Sequence, residues 1–247
     1  MNDLVRSLVE IIGEAGSGAI LSKDPLQGAI TGASIETIVK GTVKAAESLS
    51  SFLRAREERR LSEAAGAIIA RTAEKRSMGL DVRPDWNGDI DSRPEELVEQ
   101  ILRTVISETQ ERKVPYEAVI PVEVAFDESI SLDDAFRLIS LAASLSYMEM
   151  KILFALSTKN EWTFKSYDAG SPKHDPYLDS VLSLVYRNVL FPAGIGERYG
   201  GPFLSRVYLS PTGRALVRIM RLASLPSDEI DKVLVDLEDR RRNPYPA

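Results

Sequence analysis

Apolar residues in this chain recur at intervals of three and four almost throughout, whereas the best strand-like run is the short "FLSRVYLS" at 203–210. That imbalance is the strongest constraint on the fold. Strands are too few for a doubly wound sheet, and the expected class is mainly α: long N-terminal helices followed by a helical C-terminal part with one small β element.

The helical pattern comes in stretches. Residues 2–12 set Leu4, Val5, Leu8, Val9 and Ile12 on one face. After the loop "GEAGSG" a longer pattern runs from Pro25 to about Arg76. Ile35, Ile38, Val39, Thr42, Ala46, Leu49 and Leu53 line one side of it, and Glu36, Lys40, Lys44, Glu47 and Arg54 another. The charged "RAREERR" is expected to carry this helix into solvent or to turn it near Leu61. Residues 77–94, dense in Gly, Pro, Asp and Asn, have no period and read as a linker. The expected organisation is therefore a helical segment 1–80, a linker 77–94 and a helical domain 95–247.

Within that domain, Ser92 is placed to cap a helix from Arg93-Pro94 to about Arg112, with Glu95 and Glu96 in its positive first turn. Pro115 and Pro121 bracket a short, interrupted segment through Phe126. Ser131 with Asp134, and Ser146 with Glu149, have capping-box spacing and predict helices over 132–144 and 147–158. Further helices are expected over 176–190, from Ser210-Pro211 through Leu222, and from Ser227 onward.

The residue inventory narrows the chemistry. There is no cysteine, so no disulfide framework, thiolate nucleophile or cysteine-ligated metal is available. A single histidine, His174, leaves no basis for a histidine triad or a multi-histidine metal site. Asp127, Glu128, Asp133 and Asp134 surround a helix start, where carboxylates favour the helix dipole. "GEAGSGAILS" (13–22) and the Tyr147/Lys151 pair of "YMEMK" are similar to the glycine turn and Tyr-x-x-x-Lys of short-chain dehydrogenases. The stretch before Gly13 has a helical period, however, and Gly13, Gly16 and Gly18 do not match the dinucleotide spacing. Ala19 and Ile20 stand where a Walker A loop needs Lys and Ser/Thr. No catalytic, cofactor-binding or metal-ligating residue is assigned, no cofactor is implied, and the chain is expected not to be an enzyme.

A net charge of -6 favours solubility and gives no global attraction to nucleic acid or anionic membrane. No apolar run approaches the about 20 residues of a membrane span, and Asp3, Arg6 and Glu10 interrupt any signal-peptide core. With cysteine absent, the expected location is the cytoplasm.

"FLSRVYLSPTGRALVRIM" (203–220) resembles the end of a winged-helix domain of the MarR or ArsR kind. There a wing strand like Val207-Tyr208-Leu209 leads into Ser210-Pro211-Thr212-Gly213-Arg214 and the next helix. With helices 132–144, 147–158 and 176–190 before it, the resemblance covers roughly 131–222. The block 111–135 also resembles bacterial proteins of a helical-plus-winged-helix layout, a likeness that brings no function with it. A winged helix that bound DNA would put helix 176–190 in the major groove and its wing on phosphates. Arg198, Arg206, Arg214, Arg218 and Arg221, with no acid from 198 to 226, read equally as a phosphate-facing strip or as a solvated face with local salt bridges. The reading helix, though, offers Asp179, Ser180, Ser183, Arg187 and Asn188, too little positive charge for a strong binder.

The expected function is accordingly protein interaction or regulation, with a protein partner that includes the chain itself as a homo-oligomer. Its interaction seam would be Gly28, Gly32 and Ile35, where "GAITG" spaces small residues four apart. Arg206, Arg214 and Arg218 are the candidates for nucleic-acid or partner contact. A DNA-binding regulator is the second reading. The third is a membrane-acting effector using the N-terminal glycine-containing helix, opposed by the charges of Glu36, Lys40 and Lys44.

Overall fold

A computed structural model of the chain describes residues 2–13, 55–86, 94–159, 162–163, 176–192, 195–198, 201–204 and 206–242. The described residues are mainly helical, with small antiparallel sheets. They divide into two compact units, Met1–Ala143 and Ser144–Ala247.

The first unit holds α1 (Asn2–Gly13), α2 (Ala55–Ser77), α3 (Pro94–Ser107), α4 (Val114–Ala118), α5 (Ile120–Ala125) and α6 (Leu132–Ser144). Leu4, Val5, Leu8, Val9 and Ile12 are all buried, the face that the spacing predicts, and α1 packs on α2 and α3. Each such Leu or Ile stabilises the fold by about 1.5–3 kcal/mol relative to an exposed one. α2 does not turn near Leu61. It runs on to Ser77, burying Leu61, Ala64, Ala65, Ile68 and Thr72 against α3 and α4. Arg60 and Arg71 go inward with them, because each finds an acceptor there.

α3 stops at Ser107, short of the predicted Arg112. The Glu108 carboxylate accepts the Gln110 N–H at 2.7 Å, the chain bends, and a 3-10 turn over Glu111–Lys113 follows. The segment between the two prolines is two short helices, α4 and α5, each with its proline in the first turn, where a missing N–H breaks no bond. Ser131 Oγ accepts the Asp134 N–H at 3.1 Å at the start of α6. Residues 77–86, read as part of a linker, lie within the first unit. The Arg83 N–H donates to Ala125 O at 2.9 Å, its guanidinium grips both Asp85 oxygens and Ile130 O, and Trp86 is buried.

Two buried charge clusters complete this unit. Arg71 (2.5 Å) and Lys75 (2.7 Å) both pair with Glu123. Lys113 donates to Glu108 and to Ala143 O, and its Nζ lies 3.0 Å from Glu117 Oε1. That last contact is an ion-pair distance without a directed bond, since neither Glu117 oxygen receives one. Burial therefore pushes the Glu117 carboxyl up to about 7, with Lys113 opposing and Glu108 adding to the rise. Glu108 shares the burial, but the Lys113 ammonium and the Gln110 N–H outweigh it and hold that carboxyl below its usual range.

The second unit holds α7 (Tyr147–Ser157), β1 (Trp162–Thr163), α8 (Pro176–Tyr186), β2 (Leu190–Pro192), β3 (Ile195–Arg198), β4 (Gly201–Leu204), β5 (Arg206–Leu209), α9 (Pro211–Ile219) and α10 (Ser227–Arg242). α7 is the central helix, with Met150, Ile152, Leu153, Ala155 and Leu156 buried against α8, α9, α10 and β5. Ser146 and Glu149 close its capping box as predicted. β1 and β2 flank β5, all antiparallel, while β3 and β4 form a separate hairpin. The strand-like run is thus parts of β4 and β5, and among the described residues three more strands of two to four residues accompany it. The helix predicted over 176–190 ends at Tyr186, because Asn188 takes a left-handed conformation (φ 58°) and the chain enters β2.

Candidate interaction face of the second unit

The site is set by one junction. Ser210 caps α9, its Oγ accepting the Gly213 N–H at 2.9 Å and donating to the carbonyl oxygens of Asn188 and Val189. Gly213 presses on the same corner: a Cβ there would stand 2.2 Å from Val189 O. The Ser210-Pro211-Thr212-Gly213 stretch therefore clamps the α8–β2 corner to the start of α9. This accounts structurally for the stretch that carries the winged-helix resemblance.

That clamp fixes which side chains face out. In β2 and β5 the register pairs Phe191 with Tyr208, and alternation turns Leu190, Val207 and Leu209 inward. Phe191 and Tyr208 are exposed on the opposite face, their ring centroids 5.7 Å apart in edge-on contact. On α8, Tyr186 is 76% exposed. It borders a shallow depression of about 400 Å³ with Asp179, Leu182, Ser183 and Arg187. None of the three aromatics was singled out from the sequence. A period-two reading of Val207-Tyr208-Leu209 would have exposed Tyr208, whereas no comparable signal in the sequence marks Tyr186.

Two cations of this region, Arg187 and Arg214, are engaged within the unit. Arg187 donates to Ser144 O at 2.7 Å and lies 3.4 Å from the Glu149 carboxylate. Arg214 donates to Leu209 O at 2.8 Å. Arg214 and Arg218 both stand exposed, one turn apart on α9, so the structure brings these two together. Arg206 lies on β5 opposite Thr163, with its side chain outside the described residues. Gly28, Gly32 and Ile35, and with them the glycine seam, also lie outside, as do His174 and the 13–22 loop beyond Gly13.

Tyr147 and Lys151 have a structural use. Lys151 Nζ is 3.3 Å from Glu229 Oε2, Tyr147 Oη is 3.5 Å from Oε1, and the ammonium sits 5.2 Å from the Tyr147 ring centroid. The pair ties α7 to α10. Among the described residues no group of three or more His, Cys, Asp or Glu is placed to hold a metal ion. A carboxyl at about 7 often marks an acid–base catalyst, yet Glu117 is 0% exposed and Lys113 1%, so no substrate reaches them as the chain stands. No single helix among the described residues is long and apolar enough to cross a membrane. Comparison with protein-family models, curated proteins and solved structures finds no match.

Proposed function

We propose that the chain is a non-enzymatic interaction protein whose second unit is a winged-helix-type module used for docking protein, a second copy of the chain included. The sheet order β1–β5–β2, with the β3–β4 hairpin between its last two strands and α8 just before them, supports the winged-helix reading. One observation carries the docking reading. The outward side of α8, where a DNA reader would place donors and positive charge, presents Asp179, Leu182, Ser183 and Tyr186, and Arg187, just past its end, is bound to Ser144 O and Glu149. Exposed tyrosine and phenylalanine are the residue types that anchor protein interfaces.

Sedimentation velocity over a range of concentrations tests this, with Tyr186→Glu as the variant. The wild type is expected to self-associate and the variant to shift towards monomer. The fold is spared because Tyr186 is exposed. A strictly monomeric wild type that bound labelled random duplex DNA with steep salt dependence would overturn the reading. The second reading, a DNA-binding regulator, rests on Arg214 and Arg218 sharing one exposed face of α9. It requires that Arg214→Glu and Arg206→Glu abolish that binding.

A further inference from the structure

In the first unit three arginines at the start of α2 converge on one carboxylate. Arg59 Nη2 lies 2.5 Å, Arg56 Nε 3.0 Å and Arg60 Nε 4.0 Å from Glu111 Oε1. Arg56 also donates to Thr109 O and Arg60, through Nη1, to Ile106 O. Hydrogen bonds from Arg59 and Arg56 hold the Glu111 carboxyl below its usual range. Three guanidinium groups thus share one carboxylate. Glu63 is exposed one turn further along the same face, and Glu57 and Glu58 lie on other faces.

Arg60 is the informative member. Its side chain is 5% exposed, yet Nε and Nη2 have no hydrogen-bond partner. Those two N–H groups form the guanidinium edge that grips an oxyanion with two parallel bonds. A buried donor left unpaired bears its full desolvation penalty, so native structures rarely keep one without a use. Glu111 cannot serve both atoms while Arg56 and Arg59 hold it 4.0 Å from Nε. The side chains around the edge can give way: Arg56 is 57%, Arg59 64% and Glu111 39% exposed.

We propose that Arg56, Arg59 and Arg60 form a binding site for a small phosphate-type anion, inorganic phosphate or a phosphate monoester, which displaces Glu111 as counter-ion. The two exposed arginines supply charge at the mouth, and the Arg60 edge supplies the bidentate grip. The displaced Glu111 swings out towards solvent, where it is already partly placed.

Isothermal titration calorimetry of inorganic phosphate into the whole 247-residue chain tests the site, with chloride at matched ionic strength as the blank. Saturable binding is expected in the millimolar range or tighter. Arg59→Gln should weaken it about tenfold, the worth of one charged hydrogen bond. Glu111→Gln should tighten it by removing the competing carboxylate. Both positions are partly exposed, and thermal melts check that both variants fold. Arg60→Lys, which keeps the charge and loses the two-pronged edge, should also weaken binding. Absence of binding by the wild type through the millimolar range, or an Arg59→Gln constant equal to that of the wild type, overturns the proposal.

Discussion

Glu117→Gln should make the first unit more stable at pH 8 and leave it nearly unchanged at pH 5. The carboxyl titrates at about 7 in the fold against 4.5 when exposed, so its neutral form is the one the interior accepts. Below 4.5 the group is protonated in both states, and the stability that goes with the neutral form is fully present. Between 4.5 and 7 the unfolded chain gives up the proton and the fold does not, so stability falls. Above 7 both are ionised and the loss levels off at about 3 kcal/mol. Gln keeps the shape and an acceptor for Lys113 without the charge. The difference between variant and wild type should therefore rise from within about 1 kcal/mol at pH 5 to about 3 kcal/mol at pH 8. Titrating groups remote from Glu117 change alike in both proteins and cancel, so the Glu117 cluster alone sets the difference. Urea unfolding can follow this unit alone: the two tryptophans, Trp86 and Trp162, are buried in different units. In a Trp162→Phe background the fluorescence of Trp86 reports the first unit. Parallel stability curves from pH 5 to 8 would refute the account of Glu117 as a carboxyl held neutral by burial.

Glu108→Gln should cost about 3–5 kcal/mol, because it strips the buried Lys113 of its aligned carboxylate. It should also move the Glu117 transition below 7, since Glu108 contributes to that rise; unfolding curves at several pH values check both. Gly213→Ala should destabilise the second unit by about 1–3 kcal/mol, because its methyl meets a backbone carbonyl that cannot rotate away. Trp162 fluorescence on unfolding measures it, and a loss within a few tenths would mean that the corner shifts without strain.

Much of the helical frame was legible because one rule produced it. The spacing of Leu4 to Ile12, the Ser146/Glu149 box and Pro94 each specify a helix through local contacts alone, and each is found. The strands were legible only as the run at 203–210, which became parts of β4 and β5; β1, β2 and β3 were not foreseen. Strands of two or three residues carry too little pattern to stand out, and β1 and β2 exist because β5 lies between them, a pairing across more than 40 residues in the case of β1. The helix end at Tyr186 was missed for a related reason, since Asn188 is a weaker stop than glycine. Buried charge misleads in a further way. Arg60 and Lys113 sit in charged sequence that ordinarily marks a solvated face; the distant Ile106 carbonyl receives Arg60, while Lys113 goes inside with Glu108 and Glu117, its near neighbours in sequence, and the distant Ala143 carbonyl. Of the expected contact residues, Arg214 and Arg218 were legible as exposed cations, but the neighbouring aromatics depend on strand register.

The edges of the second unit limit how it can meet other chains. β1 has two residues and β2 three, the last of them Pro192; in the hairpin, Pro202 lies within β4. A proline offers no N–H to an incoming strand, and a stub this short gives it nothing to align on. Strand addition and fibril templating are both disfavoured at these borders. At these described strands an incoming chain is left side chains rather than a backbone ladder to grip, so single surface substitutions there would act on any contact without touching the sheet.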